Sequence, residues 1–296
     1  MSTTVRPVLI GVGEYGVSDA VLAHAIGLAR RSGAGLRLVH VLPRRRGTVA
    51  QPELLIDYDA FKPIADEMLH RVAESARQLG DENLSVEVVT AQGSVAEVLS
   101  SLAGEACCVV LQRRRLSHLH RVFTGSVSTA VAGRAAVPVL TVPEFWAPWP
   151  TTPPLVTVGV DGGNLHRELL ERAFEAAEAQ SARLRVLSAW SLPIQRYDGY
   201  VDPDIIDQWV SSVRRVIENL VEAVTEGHPD VDVLIDVEER RPADSLVEAT
   251  RRSHLLILGR LAHRFPLLGS LTRAVLREAL CPVMLFPLAA PGSASP

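Results

Sequence analysis

The sequence predicts an α/β protein of two tandem doubly wound domains, each a five-stranded parallel sheet with helices on both faces. Three observations predict it: an internal duplication, an alternation of strand-like and helical segments inside each copy, and a proline-dense joint between the copies. Pro7 to Pro43 returns as Leu155 to Ser191 at a constant spacing of 148 residues, without a gap. Gly93 to Gln112 matches Arg240 to Gly259 at a spacing of 147. Gly125-Ser126 matches Gly269-Ser270, and Val137-Pro138-Val139 matches Cys281-Pro282-Val283, both at 144. Matches in one order along the chain mean two copies of a unit of about 145 residues.

Each element follows from its pattern. Val8 to Val12 is a short β-branched strand. Asp19 to Arg31 carries Val21, Leu22, Ala25, Ile26, Leu28 and Ala29 at helical spacing, with Ser18 or Asp19 as the cap. A strand over Leu36 to Leu42, a long helix over Glu53 to Leu79 and a strand over Ser85 to Thr90 come next. A helix over Val95 to Ala103, a buried strand over Cys107 to Leu111, a helix following Ser126 and a strand over Val137 to Val142 complete the copy. The second copy repeats this at Val156 to Val160, Arg167 to Gln180, Leu184 to Trp190, Pro203 to Thr225 and Asp232 to Val237. It ends with Ala243 to Thr250, Leu255 to Leu258, Thr272 to Leu280 and Val283 to Phe286. Five strands alternating with four helices imply a parallel sheet covered on both faces. Ligands of such sheets bind beyond the carboxyl ends of the strands, where the strand order reverses. Gly13, Gln112, Asp161 and Gly259 lie at those ends.

Pro143 to Pro154, PEFWAPWPTTPP, cannot be helical and favours an extended joint. The expected organisation is a first domain over residues 1–143, a linker over 144–154, a second domain over 155–288 and a flexible tail over 289–296. A content of 47% hydrophobic and 5% aromatic residues suits cores of Val, Leu, Ile and Ala. A net charge of −4 and the lack of a basic segment predict no nucleic-acid footprint. Apolar runs of strand length, with no charged leader ahead of a long apolar one, predict neither a membrane span nor a signal peptide, and hence a cytoplasmic protein. Cys107, Cys108 and Cys281 are too few and too close for a disulfide framework and read as buried small apolar residues.

The stretch Leu255 to Leu271, LLILGRLAHRFPLLGSL, holds the candidate site. A strand ends at Gly259, and a glycine followed by a hydroxyl residue, Gly269-Ser270, opens the last helix. A bare glycine admits close backbone approach, and a helix start offers unpaired N–H groups to an anion. The same residues also have a structural explanation. Ser126 with Ser128, and Ser270 with Thr272, can cap and stabilise a helix start, and Asp161 can order the turn through Gly162 and Gly163.

This order of elements resembles the universal stress protein family in its tandem form, across nearly the whole chain. Family domains open with a strand ending in Val-Asp and close with a Gly-x2-Gly-x9-Gly-[Ser/Thr] loop. The resemblance implies an adenine nucleotide alpha hydrolase-like, Rossmann-like fold in which that loop wraps the phosphates and ribose of ATP. In the first copy Gly13 stands at the aspartate, and Gln112 and Arg115 at the two leading glycines, so that half is expected not to bind ATP. The basic loop with Arg113, Arg114, His118, His120 and Arg121 reads as solvated or as an anion or partner site. The second copy keeps Asp161, Gly259, Gly269 and Ser270, and has Ala262 at the second glycine. Its loop is three residues shorter: six residues separate Ala262 from Gly269, against nine between Arg115 and Gly125. Mapped on the second copy, the resemblance implies Val160, Asp161, Ala189, Gly259, Arg260, Ala262, Gly269, Ser270, Leu271 and Thr272 as nucleotide-binding residues, with Mg²⁺ beside the phosphates.

No metalloprotease, redox, hydrolase or Walker motif occurs, so no catalytic residue is expected, and slow ATP hydrolysis would be a by-product of binding. Two readings stay open: a stress-response regulator whose second domain senses an adenine nucleotide, or a scaffold without nucleotide that acts through dimerisation. The resemblance further implies pairing of the two halves through the apolar last strands, Val137 to Val142 and Cys281 to Phe286, as an internal pseudo-dimer, and a chain-to-chain dimer in addition.

Overall fold

The computed structural model describes residues 5–42, 58–81, 83–113, 121–148, 153–191, 203–261 and 268–288. The chain divides into two compact units, the first formed chiefly by residues 1–147 and the second by 148–264 and 269–296. In the first, β1 (Val8–Gly11), α1 (Asp19–Ser32), β2 (Leu36–Leu42), α2 (Tyr58–Leu79) and β3 (Val86–Gln92) lead to α3 (Val95–Leu102), β4 (Cys108–Arg113), α4 (Arg121–Arg134) and β5 (Val139–Pro143). In the second, β6 (Leu155–Val160), α5 (Arg167–Glu178), β7 (Arg183–Trp190), α6 (Pro203–Thr225) and β8 (Val233–Glu239) lead to α7 (Pro242–Ala249), β9 (Leu255–Leu261), α8 (Ser270–Glu278) and β10 (Val283–Leu288).

Within the first unit the strands are ordered β3-β2-β1-β4-β5, all parallel. The second unit repeats this as β8-β7-β6-β9-β10. The strand order reverses after β3 and after β8. Right-handed crossovers then put the later helices on the opposite face, and the contacts agree: α1 packs beside α2 and α3 beside α4, α5 beside α6 and α7 beside α8. Covered on both faces, the central strands are apolar without alternation, and Val8, Leu9 and Ile10 are fully buried.

The helical stripes are buried as their spacing requires. Val21, Leu22, Ala25, Ile26 and Ala29 of α1 are buried, and so are Leu169, Leu170, Ala173, Phe174 and Ala177 at the same positions of α5. Helix α1 stops at Gly33, whose φ of 62° lets the next N–H, that of Ala34, return to the Ala29 carbonyl. One arginine is retained across the repeats with different acidic partners: Arg37 reaches Glu87 at 2.7 Å and Glu105 at 2.9 Å, and its counterpart Arg185 reaches Asp236 at 2.6 Å and Glu238 at 2.7 Å. A second contact joins equivalent positions of the two repeats with acid and base exchanged. The end of α1 carries Arg30, 3.5 Å from Asp81, while the end of α5 carries Glu178, 2.9 Å from His228.

One expectation needs correction. Helix α4 begins at Arg121, so Gly125 and Ser126 lie within it and Ser126 cannot be an N-cap. The long helix expected from Glu53 is described from Tyr58, residues 53–57 lying outside the described segments, as does the tail over 289–296. Cys108 and Cys281 are buried, while Cys107 is half-buried; burial pushes the Cys108 thiol up to about 12, which makes it an inert packing group. Among the described residues no helix is long and apolar enough to cross a membrane.

Candidate functional site

In the second unit a cavity of about 350 Å³ opens beyond the carboxyl ends of β6, β7 and β9, where the strand order reverses. Its walls come from both faces of the sheet. Helix α5 contributes Leu169, α7 contributes Leu246, and β10 contributes Leu288, so the interior is mostly apolar. Polar groups stand at the rim and on one side: Asp161, Asn164, His166 and Thr272.

Of the residues expected from sequence, Val160, Asp161, Ala189, Gly259, Leu271 and Thr272 line this cavity. Gly259 leaves this part of the cavity unfilled. A Cβ there would lie 2.3 Å from Leu288 Cδ1 and 3.2 Å from Leu169 Cδ2, so any side chain enters the cavity against its walls. Asp161 acts in two ways. Its Oδ1 accepts the Gly163 N–H at 3.0 Å and orders the turn, while the exposed residue still borders the cavity.

The start of α8 differs from the capping expectation. Gly269 is the N-cap and Ser270 is the first helical residue, and no side chain caps the helix. An extended backbone at Gly269, φ −58° and ψ 159°, sets the boundary one residue before the hydroxyl. The N-cap glycine thus has no side chain to offer the first N–H groups of α8, next to Leu271 and Thr272 in the cavity wall. Gly269 and Ser270 themselves flank the wall without lining it. Arg260 follows Gly259 on β9 and is not part of the wall; burial pulls its guanidinium below the ordinary value. Ala262 lies outside the described residues.

The first unit differs at the equivalent spot. Gln112, counterpart of Gly259, turns its side chain across the crevice, and its Oε1 accepts the backbone N–H of Ser18 at 2.7 Å. The expected filling of this space is thus a specific hydrogen bond to the start of α1. Arg113 is buried, whereas 114–120, with Arg114, Arg115, His118 and His120, lie outside the described residues.

Sequence reasoning missed His166 and Asn164, as well as the leucine walls. A signal existed: Ser18 and Gly16 stand 148 residues before His166 and Asn164, so comparison of the repeats marks both as changed positions beside the site.

The comparisons with known proteins agree with this architecture. A family model, that of the universal stress protein family, matches residues 4–143 and again residues 155–287. A universal stress protein of Mycolicibacterium smegmatis is 27% identical over 297 residues, covering 96% of this chain and 98% of its own length. One of Mycobacterium tuberculosis is 30% identical over 217 residues, covering 69% of this chain and 70% of its own. A solved universal stress protein from Archaeoglobus fulgidus shares the fold, with a TM-score of 0.67 at 20% identity over 96% of this chain and 97% of that one.

Proposed function

Because this chain belongs to the universal stress protein family, we propose that it is a stress-response regulator whose second unit binds ATP or another adenine nucleotide, while its first unit binds none. One observation carries the proposal. A cavity stands at the strand-order reversal of the second unit, where Gly259 is bare, whereas in the first unit the Gln112 side chain at the equivalent position bonds to the Ser18 N–H. Leucine walls suit a purine ring, and the uncapped start of α8 suits the phosphates. Among the described residues no group of three or more His, Cys, Asp or Glu could hold a metal. In this reading Mg²⁺ arrives with the phosphates, with Asp161 the nearby carboxylate.

The second reading, a scaffold without nucleotide, is favoured by the three-residue shortening between Ala262 and Gly269, which removes backbone donors a triphosphate would use. Calorimetric titration with ATP and Mg²⁺ separates the two. Saturable binding by the wild type, weakened about tenfold in Asp161→Ala, is the expected result for loss of one charge-assisted hydrogen bond. Equal weak heats in both proteins would leave the scaffold.

Pairing through the last strands is also part of the proposal. Within its own unit β5 has the single sheet neighbour β4, and β10 the single neighbour β9, so each apolar strand needs cover for its other edge. Hydrogen exchange tests this: outer-edge amides of β5 and β10 should exchange as slowly as those of β1. Fast exchange along both edges would refute the pairing.

A further inference from the structure

We propose that His166 is a ligand-binding residue of the second unit's cavity, its backbone N–H and its imidazole together holding one oxygen of the ligand, a ribose hydroxyl or a phosphate oxygen. The inference rests on the nucleotide reading above and deepens it. His166 lines the cavity, and its Nε2 is buried with no hydrogen-bond partner among the described residues. A buried polar nitrogen without a partner is costly, and such groups persist where a ligand completes them. The residue is the N-cap of α5, but its side chain makes no capping bond; its carbonyl accepts the Leu169 and Leu170 N–H groups. The imidazole is thus spared from helix duty.

The first unit shows what belongs in the space. At the same place before α1, the Ser18 N–H receives an oxygen, Gln112 Oε1, at 2.7 Å. In the second unit the counterparts of both partners, His166 and Gly259, line the cavity, and Gly259 has no side chain to supply that oxygen. One repeat carries an internal oxygen acceptor where the other leaves the position to a bound molecule. The exchange of serine for histidine replaces a short hydroxyl, itself buried without a hydrogen-bond partner among the described residues, by a longer imidazole on a residue that lines the cavity.

Calorimetric titration of the full chain with adenosine, AMP and ATP–Mg²⁺, in the wild type, His166→Ala and His166→Ser, provides the test. Both variants should bind about tenfold more weakly, the effect of one lost hydrogen bond. A loss with all three ligands identifies a ribose hydroxyl as the partner; a loss with AMP and ATP alone identifies a phosphate oxygen. Nitrogen-15 NMR of the wild type gives a readout that does not depend on variant folding: the His166 imidazole and amide signals should shift saturably as AMP is added. Wild-type binding with unmoved His166 signals and unchanged variant affinities overturns this inference and leaves the nucleotide reading standing. No binding of any of the three ligands to the wild type overturns both.

Discussion

Gly259→Gln is expected to lower the affinity of the second unit for ATP by about a hundredfold, equivalent to about 2.7 kcal/mol, in calorimetric titration with Mg²⁺. The substitution copies the first repeat's residue into the second. A Cβ at position 259 already lies 2.3 Å from Leu288 Cδ1 and 3.2 Å from Leu169 Cδ2, so the new side chain occupies the cavity and cannot avoid it. Its amide would reach toward the His166 N–H as Gln112 reaches the Ser18 N–H at 2.7 Å. The clash falls on the tip of a leucine, which can rotate, so the fold should survive at a cost of about 1–3 kcal/mol. Gly259→Ala is the graded control: it introduces the contact with Leu288 without the plug and should weaken binding less. Full ATP affinity in Gly259→Gln would mean that nucleotide, if bound, sits elsewhere on the protein.

Much of the fold was legible because the chain states it twice. The positions of Val21 and Leu169, or of Arg37 and Arg185, are fixed by one spacing, and the stripes and strand runs follow from it. The difference between the two crevices at this position was legible for the same reason, since Gly259 and Gln112 align. What the sequence left undetermined depends on direction and on exact helix starts. Whether Ser126 caps a helix depends on where α4 begins, and α4 already includes Arg121. Whether Ser270 caps α8 depends on the extended backbone at Gly269. The role proposed for His166 required knowing that the residue lines the cavity and that its Nε2 is buried without a partner among the described residues, which no spacing encodes.

Phe174→Ala is expected to destabilise the second unit by about 3–5 kcal/mol, read from urea unfolding by the fluorescence of Trp190 and Trp209, whose rings lie 4.8 Å apart in that unit. Phe174 is fully buried in the stripe of α5 and stacks on His228 with ring centroids 5.5 Å apart. The first repeat places the smaller Ile26 there, so the second unit's core is built around the aromatic ring and cannot close over an alanine without leaving a void. Phe174→Leu should cost less, about 1–2 kcal/mol, because most of the volume stays. A loss under about 1 kcal/mol in the alanine variant would show that α5 settles freely onto the sheet. That outcome bears on function, because α5 carries His166 and Leu169 to the cavity, and a helix free to settle cannot hold them in register. Ligand linkage distinguishes the cases: under the proposed function, ATP held only by the folded unit would, at a fixed excess over Kd, add the same free energy to wild type and to a variant whose site is intact. Equal stabilisation of Phe174→Ala and wild type by ATP would place the damage in the core alone; a smaller gain in the variant would show that the packing of Phe174 also positions the site.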